Sequence, residues 1–486
     1  MHFKPGYIII LIATVMALGT SCKKTKTLTN GGRITFSVDT LMFDTVFTAA
    51  GSFTTSFKIF NPQNEDIVIS SVHLQNGASS YFHLNVDGFQ GNTQTNLKVR
   101  AHDSIYVFAT VNIDPTNAAT PFIVTDDFIA TMNGQDYNVP FTAFGQNAHY
   151  IIDSLMTGGN YRWGFDDKLP YVILHNAEVD LFTTLTIAAG TRIYVNQDSR
   201  LFVLGQLKIL GTPTDSVIIQ GDRLDRAYYG YEGYPGEWGG LYFDGRSLGD
   251  TMAYTILKNC GGSTTLNDTS VFSPAAIQLN VPTANSTTTQ LAMDHCIVEN
   301  SIGYGILSFG GSLNMYNCRI NTCGAQALAL LQGGTYSINN CTFACFATNN
   351  VAHTDNGTVA ILNYYTPDGT IFKHGNLNGF MRNCIIWGGL STELVCDSLS
   401  GGVFNFYMQN CLYRADSIEK FAQSKLLNCI ANMDPMFKNT GNFDFHIPTT
   451  SPAAVAGAPI VYAPYNTDLD GVQWVTTPNL GCYKAQ

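Results

Sequence analysis

One dipeptide keeps returning along this chain: Asn259-Cys260, His295-Cys296, Asn317-Cys318, Asn340-Cys341, Asn383-Cys384, Asn410-Cys411 and Asn428-Cys429. Cys296 and Cys318 are 22 residues apart, Cys318 and Cys341 are 23 apart, and the 43 residues from Cys341 to Cys384 are close to two such steps. A period in this range, carried on short β-type segments, marks a solenoid in which every coil returns the same residue to the same place on a stack. An Asn at a coil corner can bond its side-chain amide to the same group one coil along, and His295 can take a related place. A metal-binding reading of the column is set aside, because a closed zinc site needs four ligands converging on one point and a linear column supplies none.

The first 22 residues form an export leader. His2 and Lys4 precede an apolar run from Tyr7 to Leu18, followed by Gly19-Thr20-Ser21-Cys22. That run is shorter than the ~20 residues a membrane-spanning helix needs, and it fits the hydrophobic core of a cleavable signal. The small residues before Cys22 resemble the lipobox of bacterial lipoproteins of the Bacteroidetes type, which implies lipidation of Cys22 and anchoring in the outer membrane. Lys23, Lys24 and Lys26 make the tether basic. In that lipoprotein type an acidic run at this place accompanies surface display, so the periplasmic face is favoured.

No later stretch approaches 18 uncharged apolar residues, which predicts a soluble body on a lipid tether. The net charge of −11, with 13% charged residues, opposes nucleic-acid binding, whose footprint is a basic patch. Twelve cysteines less Cys22 leave an odd number, so at least one thiol is unpaired within the chain. Residues stacked on adjacent coils lie ~4.8 Å apart with parallel side chains, a poor geometry for disulfides. A column of buried thiols acting as small hydrophobes is expected. Cys318 with Cys323 and Cys341 with Cys345 are the candidate exceptions.

Two composition regimes divide the rest. Residues 31–147, after a tether at 23–30, carry short alternating strands: Thr54 to Phe60, Ile67 to Leu74, Ser104 to Ile113, Asp127 to Met132 and Tyr137 to Ala143. Turn signals separate them, and Asn133-Gly134 reads as a hairpin turn. This pattern predicts an all-β, Ig-like β-sandwich. The runs SIYVFATVNIDP and DFIATMNGQDYNVPFTAFGQN resemble the Ig-like modules of choice-of-anchor and abnormal-spindle type, which implies a fold and no activity. Residues 148–170 read as a connector. Residues 171–445 carry the repeats, with Gly and Asn at the bends, and at ~23 residues per coil they make ~12 coils over ~60 Å.

The repeat region is similar to the right-handed parallel β-helix proteins of the pectate-lyase-like class. Asp434-Pro435, the run from Asp444 to Gly457, Asp468 to Gly471 and Pro478 to Ala485 resemble the tail that closes many such chains. Residues 446–486 are therefore expected to form a C-terminal cap, since a last coil left open exposes apolar interior and unpaired edges.

Catalytic motifs are sparse. Gly245-Arg246-Ser247-Leu248-Gly249 matches a nucleophile elbow, but that motif works on a strand-to-helix turn and here β-segments flank it. Asp468-Leu469-Asp470-Gly471 lacks the further acidic ligands of a calcium loop and reads as a turn. The β-helix resemblance brings polysaccharide lyases and hydrolases into view, which need convergent carboxylates or a basic residue near calcium. Charged residues in the repeats are scattered singly. His353 with Asp355, Lys373 with His374, and Arg382 are the nearest to a catalytic set, and the first four read as surface loop residues. No catalytic residue, metal ligand or cofactor is assigned.

The densest candidate binding stretch is the loop from Asp222 to Trp238. Tyr228, Tyr229, Tyr231 and Tyr234 stand there beside Asp222, Arg223 and Glu237, a mixture of aromatic faces and charged groups that suits sugar recognition. The alternative is that the rings pack the loop, with Trp238 simply buried. The expectation is a cell-envelope lipoprotein whose solenoid binds an extended ligand, a glycan foremost, without catalysis. The rivals are a polysaccharide lyase or glycoside hydrolase, and a structural or adhesive protein with a protein partner.

Overall fold

The computed structural model describes residues 26–48, 51–114, 122–224, 233–266, 270–283, 286–366, 373–416, 425–455, 457–459, 466–474 and 477–486. The chain divides into two compact units between Asn147 and Ala148. Cys22 and its leader lie outside the described residues, and no helix among those described is long and apolar enough to cross a membrane.

The N-terminal unit is a sandwich of two five-stranded sheets. One holds Thr35–Phe36, Thr55–Phe60, Ser104–Val111, Phe82–Val86 and Phe89–Gln90; the other holds Leu41–Phe47, Gln135–Gln146, Phe122–Met132, Ile67–Leu74 and Thr93–Val99. Strict alternation drives it: in Ser104–Val111 the residues Ile105, Val107, Ala109 and Val111 turn inward while Tyr106 and Phe108 stay exposed. Phe57, Phe82, Phe128 and Phe141 fill the centre with edge-on and parallel ring contacts. Asn133 and Gly134, both at positive φ, make the hairpin turn between the two longest strands.

The second unit is a parallel β-helix. A ten-stranded parallel sheet supplies one strand per coil, and an eighteen-stranded sheet supplies the other two. Leu291–Asp294, Ile297–Ser301 and Tyr304–Phe309 make one coil, and Ser312–Tyr316, Arg319–Cys323 and Leu328–Leu331 make the next, paired in parallel register. Inward columns run the length of the stack. Ile187, Ile209, Met252, Met293, Met315, Ile338, Met381 and Met408 are stacked in register, and none is more than 2% exposed. Each such burial contributes about 1.5–3 kcal/mol against the entropy of ordering the chain.

Two expectations change in detail. The stretch 148–170 is no separate connector: His149–Met156 and Gly159–Trp163 are the first strands of the two long sheets. The ten-stranded sheet also gives ten coils among the described residues where ~12 were expected from the period. Segments that leave the stack account for the residues, including the hairpins Thr264–Leu266 with Ser270–Phe272 and Tyr364–Tyr365 with Lys373–His374.

The corner column explains the repeated dipeptide. His295, Asn317, Asn340, Asn383, Asn410 and Asn428 all have φ between 49° and 53°. Asn tolerates this left-handed conformation better than other side chains, so it turns the corner at the lowest strain. The thiol that follows donates to the carbonyl two residues back, at 3.1–3.6 Å in all six coils. Amide contacts between coils are intermittent: Asn383 Nδ2 donates to Asn340 Oδ1 at 3.2 Å, and Asn317 Nδ2 lies 3.1 Å from His295 Nε2. Asn259-Cys260 does not belong to this column. Register places Thr255 over Cys296, with Tyr254 stacked on the His295 ring, whereas Asn300 Nδ2 donates to Asn259 Oδ1 at the following corner. All eleven cysteines from Cys260 onward are free, and neither Cys318–Cys323 nor Cys341–Cys345 is bridged.

The C-terminal segment covers the solenoid from the side. Ile447, Ala453 and Leu480 pack on outward-facing Ile385, Trp387 and Leu412, and Phe445, Cys482 and Tyr483 pack on Ala344. Its polar anchors fall on the asparagine column. Asn383 accepts from Ala458 N at 2.7 Å and donates to Ala458 O at 2.9 Å; Asn340 donates to Asn479 O, and Asn317 to Thr467 O. Asp468 is fully buried, and its carboxylate accepts from the backbone N–H of Asp470, Val472 and Lys484, which makes the Asp468–Gly471 segment a turn.

Candidate functional site

Outward-facing residues of the ten-stranded sheet also form columns. Lys208, Thr251, Ala292, Asn314, Ser337, Phe380 and Tyr407 are in register along one, and Leu210, Ala253, Asp294, Tyr316, Asn339, Arg382 and Gln409 along the next. From Asp294 to Gln409 the second column is the residue before each Asn/His-Cys dipeptide, so the period that builds the core also aligns this face. Thr251, Ala253, Ala292 and Ser337 are small and leave a trough, while Phe380 and Arg382 rise beside it. The resulting groove has a volume of about 420 Å³ and is bordered by Pro459 of the C-terminal segment.

Phe380 lines one side of the groove, and Tyr407, outside the lining, backs it from the next coil. Phe380 and Tyr407 lie near parallel at 5.5 Å, the Arg382 guanidinium sits 4.6 Å over the Phe380 ring, and Arg382 Nη2 donates to Tyr407 Oη at 3.3 Å. Arg382 Nε is shielded and has no partner. Further along, Asp294 contributes the groove's carboxylate, 2.6 Å from Nδ1 of the buried His295. Burial alone would push the His295 imidazole down, but the hydrogen bond and charge of Asp294 outweigh it and hold the pKa above its usual value.

The loop singled out in the sequence belongs to the other wall, between Val217–Gly221 and Gly240–Phe243 of the eighteen-stranded sheet. Tyr228, Tyr229 and Tyr231 lie outside the described residues. Asp222 accepts from Asn196 Nδ2 at 2.7 Å, and Arg223 is half-buried beside it. Glu237 is 8% exposed; its carboxylate accepts from Tyr234 N at 3.1 Å and from Asn259 Nδ2. Trp238 is fully buried and donates to Lys258 O, as expected for a packing residue.

The other sequence candidates separate. His353, expected on a surface loop, is buried with its Nε2 3.0 Å from the equally buried Glu393. That carboxylate also accepts from Thr358 N and Oγ1 and from Leu390 N, so the cluster ties a long loop to the stack. Asp355 accepts from Thr354, Lys373 and His374 are exposed on a hairpin, and Arg382 stands alone of the five in the groove. Ser247 is buried, with its hydroxyl 2.6 Å from the Asp250 carboxylate, whose pKa burial lifts to about 7. The pair closes a turn between two strands. Among the described residues, no group of three or more His, Cys, Asp or Glu side chains is arranged to hold a metal ion.

No family model matches the chain, and no curated protein does. Among solved structures it overlaps a family 123 glycoside hydrolase from Clostridium perfringens over 25% of this chain and 26% of that one, at 11% identity and a TM-score of 0.18. It overlaps the Salmonella enterica SafA pilin in complex with the SafB chaperone over 25% and 58%, at 12% identity and a TM-score of 0.17. A PapD-like domain of human CEP192 is overlapped over 26% of this chain and 92% of that chain, at 12% identity and a TM-score of 0.17. The chain thus spans about a quarter of the length of the hydrolase and somewhat over half that of the pilin–chaperone chain. Overlaps of this size carry no argument about activity.

Proposed function

We propose that the solenoid binds an extended glycan along its ten-stranded face without transforming it, in a protein exported and held at the outer membrane by a lipid on Cys22. The observation that carries this reading is the groove itself: small side chains on its floor, the ring of Phe380 backed by Tyr407 at its side, and the hydrogen-bonding groups of Arg382, Asn314, Asn339 and Asp294. Ring faces pack on the C–H surfaces of sugars, while amide, guanidinium and carboxylate groups bond hydroxyls. Asp294 and Arg382 are three coils apart, ~14 Å along the stack, and among the described residues Asp294 is the one carboxylate of the lining, where glycoside hydrolysis uses a pair.

The test is retention of the purified, untethered protein on a panel of acidic and neutral polysaccharides, with reducing ends and unsaturated-uronide absorbance followed in parallel with and without calcium. Retention without product, weakened about tenfold by Phe380→Ala with Tyr407→Ala, is expected. Product on any substrate replaces this reading with the lyase or hydrolase one. No retention at all removes the glycan reading and leaves the adhesive one.

A further inference from the structure

The sandwich has an outer face that carries exposed aromatic rings among polar side chains. On the sheet containing Ser104–Val111, the outward residues of the three adjacent strands are Ser56, Lys58 and Phe60, then Ser104, Tyr106, Phe108 and Thr110, then His83 and Asn85. Tyr106 and Phe108 sit on the central strand and are 44% and 39% exposed. Their rings lie 5.6 Å apart and within 16° of parallel. Register sets Lys58 opposite Tyr106, and sets Ser56 and Asn85 on the two sides of Phe108. The Lys58 ammonium stands 4.6 Å from the Tyr106 ring centroid, which fixes that ring in place.

Beside Phe108 the surface dips into an open depression of about 630 Å³, lined among others by His83, Asn85, Gln90 and Thr110. Asn85 Oδ1 is shielded there and has no hydrogen-bond partner. A shielded amide oxygen without a donor is unfavourable, and a ligand hydroxyl donating to it would relieve that cost.

The composition of this face decides between occupants. Paired aromatic rings stand among hydroxyl, amide and imidazole groups, and none of the outward residues named is aliphatic. Protein interfaces are enriched in Met and Arg with their aromatics and depleted in Ser and Lys, whereas this face sets its rings among Ser56, Ser104 and Lys58 and has no Met or Arg among the outward residues named. Charged ligands find a single cation, Lys58, already placed against a ring. We propose that this face is a binding surface for neutral glycans, with Tyr106 and Phe108 taking the sugar rings and Asn85, Gln90, His83 and Thr110 the hydroxyls. It stands independently of the solenoid groove and acts without chemistry.

The test uses the full untethered protein on immobilised neutral polysaccharides (α-glucan, β-glucan, mannan and xylan). Three forms are compared: wild type, Tyr106→Ser with Phe108→Ser, and Phe380→Ala with Tyr407→Ala. The sandwich variant is expected to lose about tenfold or more in retention of at least one neutral glycan while its unfolding midpoint stays at the wild-type value, since both rings are solvent-exposed. The groove variant keeps that retention. Asn85→Ala gives an intermediate loss. Equal retention by wild type and sandwich variant overturns the proposal, as does a wild-type protein that retains no neutral glycan. Loss in the groove variant alone assigns the binding to the solenoid instead.

Discussion

Two outward faces of the solenoid are built by the same period and treated oppositely. On one, Ile385 and Trp387 project from one coil and Leu412 from the next, and the chain's own C-terminal segment lies over them. On the other, Thr251, Ala292, Asn314 and Ser337 project from successive coils, and a groove of about 420 Å³ stays open. A β-helix hides one side of each strand automatically, so the outer side is where the sequence is free to vary. Apolar outward columns recruit the tail, because each covered side chain contributes about as much as one in the core. Small and polar outward columns recruit nothing from the chain and leave a surface for something else.

The comparison can be broken at the covered face first. Leu480→Ala removes a fully buried contact to Ile385, Trp387 and Leu412 and is expected to destabilise the tail by about 2–4 kcal/mol, seen as a lower denaturant midpoint and early proteolysis after residue 446. A variant with wild-type stability would mean that the tail merely rests there. Next, Asn383 and Asn410 share φ 51°. Only Asn383 also holds Ala458 through both its oxygen and its nitrogen. Asn383→Ala is expected to cost about 2–4 kcal/mol, and Asn410→Ala the backbone strain alone, about 1–2 kcal/mol. Equal losses would show that the column serves the corners and not the tail.

A pH effect should follow, smaller and reversible. His446 bridges Asp444 and Asp470 beside Lys438 and the Tyr483 ring. Burial alone would lower its pKa, but the hydrogen bonds to Asp470 and Asp444 outweigh burial and raise it. A raised folded pKa stabilises fully below the unfolded value of about 6.5 and is lost as pH rises through the folded one. Burial acts to raise Asp444, yet the His446 and Lys438 bonds hold it below the ordinary carboxylate value, so its share is lost only on acidification. The clamp is therefore fullest between about pH 4 and 6.5. Hydrogen exchange across residues 466–474 should quicken above that window, and His446→Gln should flatten the dependence. His295, also raised, adds in the same sense through Thr467.

The smallest stability effect sharpens the open face. Ala292→Trp fills the groove floor from a solvent-facing position and is expected to change stability by no more than about 0.5 kcal/mol while abolishing retention of the glycan that Phe380→Ala with Tyr407→Ala weakens. A large stability loss would make the trough a packed surface after all.

Much of this was legible along the chain. The 22- and 23-residue intervals between dipeptides predict the stack, and the alternation in Ser104–Val111 predicts the sandwich. The groove was legible too: Asp294, Tyr316, Asn339 and Arg382 each precede a dipeptide, and Ala292, Asn314, Ser337 and Phe380 stand two residues before those. The tyrosine-rich loop drew the eye because it is dense, whereas the groove is dispersed over some 200 residues at one or two per coil. Asn259-Cys260 misled for the opposite reason. Its composition matches the column, but the interval to Cys296 does not fit the period, and the αL corner it turns is the next one along. His353 and Glu393, 40 residues apart, gave no local sign of pairing.

What the sequence determines by itself is periodic: the coil, the inward Met and Cys columns, the left-handed corners and the alternating strands. Each follows from a preference of single residues or short spacings, which repetition amplifies into a long-range order. Which outward column the tail covers, where a depression remains, and which carboxylate meets which imidazole are set by tertiary structure alone. Those outcomes depend on side chains one to several coils apart meeting at ångström separations, and on a tail whose path is chosen by total buried area rather than by any one residue.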